Sequence, residues 1–573
     1  MKHLIPYFKK YKFISILAPA FKMLEACFDL AVPLIVADII DKGIAGGDKS
    51  YIIRRFLLLV LMALLGLLSS FTAQFFAAKA AIGTATGLRH DLISKIQQLS
   101  FTETDSIGRS TLITRLTSDI NLVQNGLNLF LRLFMRSPFI VFGATVLAFT
   151  VNARLALIFV GLIAVLFVIV FGIMKITKPL HKKVQENLDS LTDTTKENLS
   201  GVRVIRAFSR QEKQKEKFGR NNADLLSSQL KVGNISALLN PLTYVAVNGA
   251  IILVLWLGAE KINGGSVLPG DIVALINYIG QILVELVKLA TLITLIARSV
   301  ASMGRVGQIL DTQSSMTYGE ITEGKENDEI LKFKNVSFTY KGAGAPSLSG
   351  ISFSVKKGET VGIIGGTGSG KSTLVKLITR FYDATEGEVL LKGSDIKSWD
   401  KKALNSCVSL VPQRPLLFSG TVRSNLLKGN PDATEEKMWK ALENAQARDF
   451  AEKKEKGLDS VIEQSGLNLS GGQRQRLTIA RALVAESDIL ILDDSSSALD
   501  FATDAALRKA LKGLPGDVTT FIVSQRTSSI AHADKIIVLE DGLAVGIGKH
   551  DELLSDCDIY REIYLSQFRR EAE

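Results

Sequence analysis

Gly365-Gly-Thr-Gly-Ser-Gly-Lys-Ser-Thr373 is a glycine-rich segment that matches the pattern G-x-x-x-x-G-K-[ST]. Glycines let a backbone bend so closely that its N–H groups surround a phosphate, while the lysine reaches the outer phosphates and the next hydroxyl contacts Mg²⁺. An apolar run over 360–364 predicts a buried strand before the loop, and apolar periodicity over 373–381 predicts a helix after it. The segment therefore predicts an ATP site with Mg²⁺ as cofactor. The candidate ATP-binding residues of this loop are Gly365, Gly366, Thr367, Gly368, Ser369, Gly370, Lys371, Ser372 and Thr373.

Outward from this loop, the composition divides the chain into two unlike parts. Hydrophobic residues make up 47% of the 573 residues, and their excess lies in the first three hundred. We therefore expect an α-helical membrane domain over 1–300, a polar linker over 301–329 and an α/β nucleotide-binding domain over 330–573. Six apolar segments each supply the ~20 residues that a spanning helix needs. They lie near 13–40, 56–84, 128–151, 155–178, 236–258 and 272–298.

The formal net charge of +11 fits either nucleic-acid binding or the basic cytoplasmic loops of a membrane protein. The basic residues flank the predicted membrane helices and no RNA- or DNA-binding motif accompanies them, so we expect no nucleic-acid partner. Their distribution predicts a multi-pass protein of the cell membrane whose N-terminus and nucleotide domain are cytoplasmic. Two long inner connections, roughly 84–127 and 179–235, are predicted to be helical. Their tips, near 106–109 and 200–203, are candidates to contact the nucleotide domain.

Two further motifs follow the phosphate loop in the soluble part. Ile489-Leu-Ile-Leu-Asp493 predicts a buried strand that ends in a carboxylate suited to the water shell of Mg²⁺. Leu469-Ser-Gly-Gly-Gln473 predicts, on local grounds, a glycine turn in which Ser470 caps a following helix. With this motif the sequence resembles the ABC transporter family, whose signature is LSGGQ. The resemblance covers essentially the whole chain and implies an exporter half-transporter, with six membrane helices and one nucleotide domain.

The resemblance implies roles for further residues. Tyr340 is similar to the aromatic residue that stacks on adenine, and Gln413 resembles the glutamine that contacts Mg²⁺ and couples to the membrane domain. Ser497 and Asp500 match the D-loop at the dimer interface. In this family two nucleotide domains enclose two ATP molecules, each between one chain's phosphate loop and the other chain's signature. The signature residues implied to complete a partner's ATP site are Leu469, Ser470, Gly471, Gly472 and Gln473.

Two positions depart from the family pattern. The family has Glu as general base where this chain has Asp494, and His in the switch loop where it has Gln525. An Asp carboxylate is withdrawn by roughly 1.5 Å and falls outside the reach that proton abstraction needs. A neutral amide supplies a hydrogen bond but no positive charge. Harmless drift is the alternative, but two losses at the hydrolysis positions predict a site that binds ATP and hydrolyses it poorly.

An intact signature beside a weak site implies a heterodimer with a second half-transporter that carries Glu and His. The pattern resembles the degenerate-site subunit of heterodimeric bacterial multidrug exporters. This resemblance implies ATP-driven efflux of hydrophobic or amphipathic compounds. A homodimer with two weak sites is a less favoured arrangement. Other functions also stay open: a lipid or peptide exporter half, or an ATP-gated channel or regulatory membrane protein.

Ionisable residues within the apolar segments are candidates to contact cargo, because their burial in a membrane is costly unless they face a cavity or a partner. Asp29 in the first segment and Glu285 in the sixth are the substrate candidates, as an acidic patch that attracts cationic amphiphiles. Internal pairing that joins helices is an equally weighted alternative. Arg132 and Arg136 in the third segment argue against a simple acidic cavity.

Overall fold

In the computed structural model, residues 2–325, 328–495, 499–514 and 517–568 are described. The chain forms two compact units, and each is continuous in space but not in sequence. The first unit contains Met1–Gln97 and Ser110–Asp311. The second contains Gln98–Arg109 and Thr312–Glu573.

The first part of the chain is helical. A 3₁₀ turn at Lys2–Leu4 precedes the helices, and π-helical turns at Ile39–Ile44, Arg115–Asp119 and Phe130–Phe134 join some of them. The helices are α1 Ile5–Lys10, α2 Lys12–Asp38, α3 Lys49–Gln98, α4 Phe101–Ile107, α5 Arg109–Thr114, α6 Ile120–Leu129, α7 Arg136–Val151, α8 Ala153–Ser200, α9 Val202–Ala207, α10 Gln211–Ala237, α11 Leu239–Asn263 and α12 Pro269–Asp311.

Within the described residues, five helical stretches are both long and apolar enough to cross a membrane. They are Lys49–Gln98, Arg109–Val151, Ala153–Ser200, Gln211–Asn263 and Pro269–Asp311. The remaining predicted span, near 13–40, forms the 27-residue helix α2. Besides Lys12 and Asp38 at its ends, the helix has three charged residues in its middle, Lys22, Glu25 and Asp29, which lower its hydropathy. Six spans therefore remain a prediction, of which five satisfy both criteria.

Several helices run far past the apolar segments that predict them. Helix α8 has 48 residues, which corresponds to roughly 72 Å at the usual rise and exceeds the ~30 Å hydrocarbon core of a bilayer. It begins after a tight turn, where the side chain of Asn152 accepts hydrogen bonds from the N–H groups of Arg154 and Leu155 at 3.1 and 3.3 Å. This cap satisfies helix N-terminal donors and fixes the turn between α7 and α8.

The predicted linker start at residue 301 is wrong. Helix α12 continues to Asp311, so the linker begins at Thr312. Met303, Val306 and Ile309 recur at helical spacing and are buried, and this burial sustains the helix beyond the apolar segment. The first strand begins at Glu329, and the domain start near 330 stays a prediction.

The second unit is an α/β domain. Its helices are α13 Lys371–Ile378, α14 Lys401–Cys407, α15 Val422–Leu426, α16 Glu435–Asn444, α17 Arg448–Glu452, α18 Gly471–Leu483, α19 Phe501–Lys512, α20 Thr527–Ile530, α21 His550–Asp556 and α22 Asp558–Phe568. Its strands are β1 Glu329–Phe338, β2 Leu348–Lys356, β3 Thr360–Gly365, β4 Glu386–Leu391, β5 Ser394–Asp395, β6 Val408–Val411, β7 Gly420–Thr421, β8 Val461–Ile462, β9 Ile489–Asp493, β10 Thr519–Val523, β11 Lys535–Glu540 and β12 Leu543–Gly548.

A six-stranded sheet carries the phosphate loop. Its order is β12-β11-β3-β10-β9-β6, with β11, β3, β10, β9 and β6 parallel to their neighbours and β12 antiparallel at one edge. A four-stranded antiparallel sheet, β2-β1-β4-β5, and the small pair β7-β8 complete the domain. Because parallel strands end at one edge, the segments after β3, β9 and β10 lie together there. The predicted fold class, a helical membrane domain followed by an α/β nucleotide domain, is confirmed.

The segment Gln98–Arg109 belongs to the second unit although membrane helices flank it in sequence. The ring of Phe101 stacks on Phe381 with 4.5 Å between ring centroids. The hydroxyl of Tyr382 donates a hydrogen bond to the carboxylate of Asp105. Phe101 and Asp105, just before the tip predicted near 106–109, therefore contact the nucleotide domain.

Candidate functional site

The phosphate loop lies between β3 and α13. Gly370 precedes the helix with φ of 102°, a left-handed conformation that favours glycine. A Cβ at this position would lie 2.7 Å from the side chain of Leu348 and 2.8 Å from the carbonyl oxygen of Ser347. Glycine is therefore required here by both conformation and space. A cavity of about 410 Å³ opens at the loop and is lined by Lys371, Ser372 and Thr373 among others, a volume within the range of ligand sites.

Lys371 lies at the centre of the loop. Its Nζ donates to the carbonyl oxygens of Gly365 and Gly366 at 2.9 and 2.6 Å. Burial lowers the pKa of the Lys371 ammonium group, and the nearby carboxylates of Asp493 and Asp494 oppose that shift. The Lys371 ammonium group thus lies between the loop backbone and two acidic residues, where it can contact a phosphate. A metal ion bound at this place would contact the same acidic residues.

The two consecutive carboxylates follow β9. Burial raises the pKa of Asp493, the neighbouring Asp494 raises it further, and Lys371 opposes the rise. Asp494 has a left-handed φ of 45°, and its N–H donates to the carbonyl oxygen of Val523 at 3.0 Å. The Nε2 of Gln413 donates to the Asp494 carboxylate at 3.3 Å. The structure therefore brings together three of the predicted residues. Asp493 and Asp494 lie at the end of β9, and Gln413 follows β6.

The residues at this edge fit Mg²⁺ by their chemistry. Ser372, Gln413 and Asp493 offer hydroxyl, amide and carboxylate oxygens, which are the donors that Mg²⁺ prefers. Because the amide nitrogen of Gln413 faces Asp494, its oxygen is available for another partner. The described part of the chain contains no group of three or more His, Cys, Asp or Glu residues arranged for a metal.

Tyr340 follows β1 and lies beside the helix of the phosphate loop. Its hydroxyl is 3.2 Å from the Oγ1 of Thr373 and accepts a hydrogen bond from Lys376 Nζ at 3.2 Å. Its ring meets the rings of Phe338 and Tyr382 edge to face, with centroid distances of 4.7 and 5.3 Å. The structure thus places the predicted adenine-stacking residue next to the loop; stacking itself stays a prediction.

Gln525 follows β10, and we use the term switch loop for residues 524–527. The loop begins at the same sheet edge as the phosphate loop, since the N–H of Ser524 donates to the carbonyl oxygen of Ile363 at 3.1 Å. The Gln525 residue is exposed, and its carbonyl oxygen accepts a hydrogen bond from Gln567 Nε2 at 2.8 Å. Sequence reasoning missed Gln567, because no motif marks it and 42 residues separate it from Gln525.

The signature turn forms the N-terminus of α18. Ser470 and Gln473 form a capping box: Ser470 Oγ accepts from the N–H of Gln473 at 3.3 Å, and Gln473 Oε1 accepts from the N–H of Ser470 at 3.0 Å. Leu469 is buried, whereas Ser470 and Gly471 are exposed. The predicted cap is confirmed, and the turn presents an exposed surface at the positive end of a 13-residue helix.

The two D-loop candidates have different outcomes. Asp500 caps α19, because its side chain accepts from the N–H and hydroxyl of Thr503 at 2.8 and 2.9 Å. Ser497 lies outside the described residues. A contact of either residue across a dimer interface stays a prediction.

The substrate candidates of the first unit are paired with one another through Arg136. Its guanidinium donates to Asp29 and Glu285 at 2.7 Å each, and so joins α2, α7 and α12. Ser137 donates to the second oxygen of Glu285 at 2.7 Å, and Lys288 donates to Glu285 at 3.1 Å. A cavity of about 600 Å³ adjoins this group of charges. The contacts match the alternative of internal pairing, and a role in cargo binding stays a prediction.

The two units together define a class. A phosphate loop beside an acid-ended strand, in one chain with helices that can cross a bilayer, characterises ATP-driven membrane transport proteins. The profile of the ABC transporter transmembrane region matches residues 15–286, and the profile of the ABC transporter nucleotide domain matches residues 348–497.

Curated relatives match over nearly the full length. An uncharacterized ABC transporter ATP-binding protein of Mycobacterium tuberculosis (strain CDC 1551 / Oshkosh) is 34% identical over 99% of this chain and 97% of its own. An uncharacterized ABC transporter ATP-binding protein of Bacillus subtilis (strain 168) is 34% identical over 100% of this chain and 99% of its own. An ATP-dependent lipid A-core flippase of Colwellia psychrerythraea (strain 34H / ATCC BAA-681) is 28% identical over 99% and 96%. The chain belongs to the ABC transporter family.

A solved structure has the same fold. It is described as a bacterial Atm1-family ABC exporter with ATP bound, and it superimposes with a TM-score of 0.78 at 24% identity over 99% of each chain. The chain therefore has the fold of an exporter half-transporter, in which one membrane domain precedes one ABC-type ATPase domain.

Proposed function

We propose that this chain is one half of a heterodimeric ABC exporter that expels hydrophobic or amphipathic compounds from the cell. Its own phosphate-loop site holds ATP and hydrolyses it poorly, while its signature turn completes a competent site on the second subunit. One observation carries the proposal. The loop keeps Lys371 and Ser372, whereas Asp494 and Gln525 replace both groups that the family uses for hydrolysis.

The environment of Asp494 supports poor hydrolysis. The backbone is fixed by the hydrogen bond from the Asp494 N–H to Val523, and the carboxylate accepts a hydrogen bond from Gln413 at 3.3 Å. A general base must come within ~2.6–3.2 Å of the proton that it removes, directly or through one water. The Asp side chain has one methylene fewer than Glu and cannot recover that distance while the backbone is fixed.

In the proposed site, several described residues bind the nucleotide, and Asp494 is too short to act as the general base. The loop N–H groups and Lys371 would hold the phosphates, and Ser372, Gln413 and Asp493 would hold Mg²⁺. Mg²⁺, when bound, neutralises phosphate charge. Gln525 can donate a hydrogen bond from a neutral amide, which orients a phosphate but contributes no positive charge. The chain is therefore equipped to retain nucleotide more than to cleave it.

Exposed surfaces support a second subunit. Helix α9, at the tip of the second inner connection, and its flanks expose large apolar side chains: Leu199 is 73%, Val204 61% and Phe208 72% exposed. Apolar residues exposed together indicate a contact surface for another protein. Ser470 and Gly471 of the signature are exposed as well. A second half-transporter, with the same architecture, is the partner that family geometry implies for both surfaces.

Membrane placement follows from the same proposal. The protein is expected in the cell membrane as a multi-pass subunit, with its N-terminus and nucleotide domain in the cytoplasm, because Lys and Arg concentrate in the inner connections. The cavity beside Asp29 and Glu285 has charged and apolar lining, which suits a molecule with both characters. The lipid bilayer surrounds the membrane domain and is also the source from which such cargo would enter.

Purification from the native membrane tests the heterodimer. A tagged chain, extracted in mild detergent, is expected to retain a second half-transporter in equal amount, identified by mass spectrometry, with Glu and His at the two hydrolysis positions. The purified pair should move a cationic amphiphilic dye across proteoliposomes when ATP is present. A homodimer as the sole species, or ion conductance through single channels without dye movement, would contradict the proposal.

Lipid translocation is a second candidate, because relatives named ATP-dependent lipid A-core flippases match the chain over nearly its full length. The same proteoliposomes distinguish the two candidates. Movement of a fluorescent lipid between leaflets, without dye transport, would favour the flippase. Dye transport, with lipid movement no faster in the presence of ATP than in its absence, would favour efflux.

A further inference from the structure

The side-chain amide of Gln567, near the end of α22, contacts the switch loop on two sides. Its Nε2 donates to the carbonyl oxygen of Gln525 at 2.8 Å. Its Oε1 accepts from both the N–H and the hydroxyl of Thr527 at 2.9 Å each. One amide group therefore makes three hydrogen bonds to two residues that lie on either side of Arg526.

These hydrogen bonds satisfy donors that have a high cost if left unpaired. Thr527 is fully buried, and its N–H belongs to the first turn of α20, where helix geometry supplies no acceptor. Within the described chain, Arg526 precedes α20 without a side-chain cap. A buried donor without an acceptor costs more than an ordinary hydrogen bond contributes. Gln567 therefore acts as the cap of α20 from a distant helix.

Helix α22 is itself fixed to the domain, so Gln567 is held in place. Tyr560 is fully buried and packs in an apolar cluster with Ile530 of α20, and Ile563 packs against the same cluster. The Nδ1 of His550 lies 2.7 Å from the Tyr560 hydroxyl and adds a polar anchor. A side chain on a supported helix can fix a loop more precisely than one on a mobile segment.

We propose that Gln567 is a positioning residue for the switch loop. It fixes the backbone of Gln525 at the sheet edge that carries the phosphate loop, and so slows the release of nucleotide from this chain's site. The effect on the loop depends only on the observed contacts. The effect on nucleotide release rests additionally on the proposed function of this site.

The first test compares variants that separate hydrogen bonding from packing, in the complete complex purified from membranes. Gln567→Met keeps the side-chain volume but removes all three hydrogen bonds. Gln567→Ala removes the hydrogen bonds and most of the side-chain volume. Gln567→Glu keeps an acceptor for Thr527 but removes the donor to Gln525. Ser566→Ala is the matched control, because Ser566 is the preceding residue and its hydroxyl donates only to Ile563 of its own helix.

Hydrogen exchange of peptides that cover 521–530, followed by mass spectrometry, reports on the loop directly. We expect amide exchange in this segment to accelerate at least fivefold in Gln567→Met and in Gln567→Ala, in line with a loss of about 1 kcal/mol or more. In Gln567→Glu the Thr527 amide should stay protected while the Gln525 segment exchanges faster. Wild-type exchange in Gln567→Met, with acceleration only in Gln567→Ala, would show that packing and not hydrogen bonding holds the loop, and would overturn the proposal.

Release of a fluorescent ATP analogue from the same preparations tests the second step. Gln567→Met should release nucleotide about fivefold faster than the wild type and than Ser566→Ala. A faster-exchanging loop with unchanged release would overturn the link to nucleotide but leave the positioning contact. Faster release together with equal ATP hydrolysis at both sites would leave the Gln567 contact intact and refute the proposed asymmetry.

Discussion

Replacement of Asp494 by Glu should restore hydrolysis at this chain's own site. The Asp494 N–H donates to Val523 at 3.0 Å, so an added methylene moves the carboxylate outward and not the backbone. The gain is about 1.5 Å, which is enough to bring a carboxylate at the edge of hydrogen-bond distance into range. A positioned general base contributes ~10²–10⁴-fold in rate. Because Gln525 still supplies no charge, we expect the lower end, about 100-fold.

The assay must separate the two sites of the dimer. In the proposed heterodimer the signature of this chain completes the other site, so a Gly472→Glu background is expected to remove turnover there and to leave a low residual rate. Addition of Asp494→Glu in this background should raise the ATPase rate of the purified pair about 100-fold above that residual rate. The double change of Asp494→Glu with Gln525→His should raise the rate further, because it adds the missing charge.

Asp494→Asn is the control of equal length. If Asp494 does not act as a base, its amide variant in the same background should keep the residual rate unchanged. Two results would refute the reasoning: loss of the residual rate in Asp494→Asn, or no gain in Asp494→Glu together with Gln525→His. Binding of a fluorescent nucleotide should stay within about twofold in all variants, which shows that the rate change is chemical.

Three further predictions concern other parts of the chain. Tyr382→Phe removes the hydroxyl that donates to Asp105 and keeps the ring, so dye transport per ATP hydrolysed in proteoliposomes should fall about fivefold while ATPase activity persists. Arg136→Gln removes one of the two cations that pair with the buried Glu285 and leaves Lys288, so it should destabilise the membrane domain by ~1.5–3 kcal/mol, read as a lower melting temperature in detergent, with partial recovery when Glu285→Gln is added. Burial raises the pKa of Asp493, so this acid gains its proton at a higher pH than an ordinary Asp. Mg²⁺-dependent ATP binding should therefore weaken on acidification while the pH is still above the range in which an ordinary Asp is protonated. Asp493→Asn should abolish that pH dependence.

Local chemistry made part of the nucleotide domain predictable from sequence. The strand before the loop, the strand that ends in Asp493 and the Ser470 cap all formed as expected. In each case the residues that determine the conformation lie within a few positions of one another. Gly370 has a φ of 102°, and Ser470 accepts from the third N–H of its own helix. The residues that explain these two conformations are adjacent in sequence.

Contacts between distant segments were not predictable in the same way. The linker began later than expected because burial of one face of α12 sustains the helix past its apolar segment. Hydropathy reports the apolar segment alone and gives no signal for such continuation. Likewise, a glutamine 42 residues from Gln525 has no distinguishing neighbour in sequence, and only the packing of α22 brings it to the switch loop. Pairing of Asp29 and Glu285 through one arginine needed three helices in place.

Asymmetry between the two ATP sites is tested most directly by the ATPase rate of the purified pair with two single changes in this chain. In the proposed pair, Lys371→Ala should disable the site on this chain's own phosphate loop, and Gly472→Ala should disable the signature that completes the other site. We expect Lys371→Ala to lower turnover only in part and Gly472→Ala to reduce it to the low residual rate. Equal loss of turnover in the two variants would contradict the asymmetry.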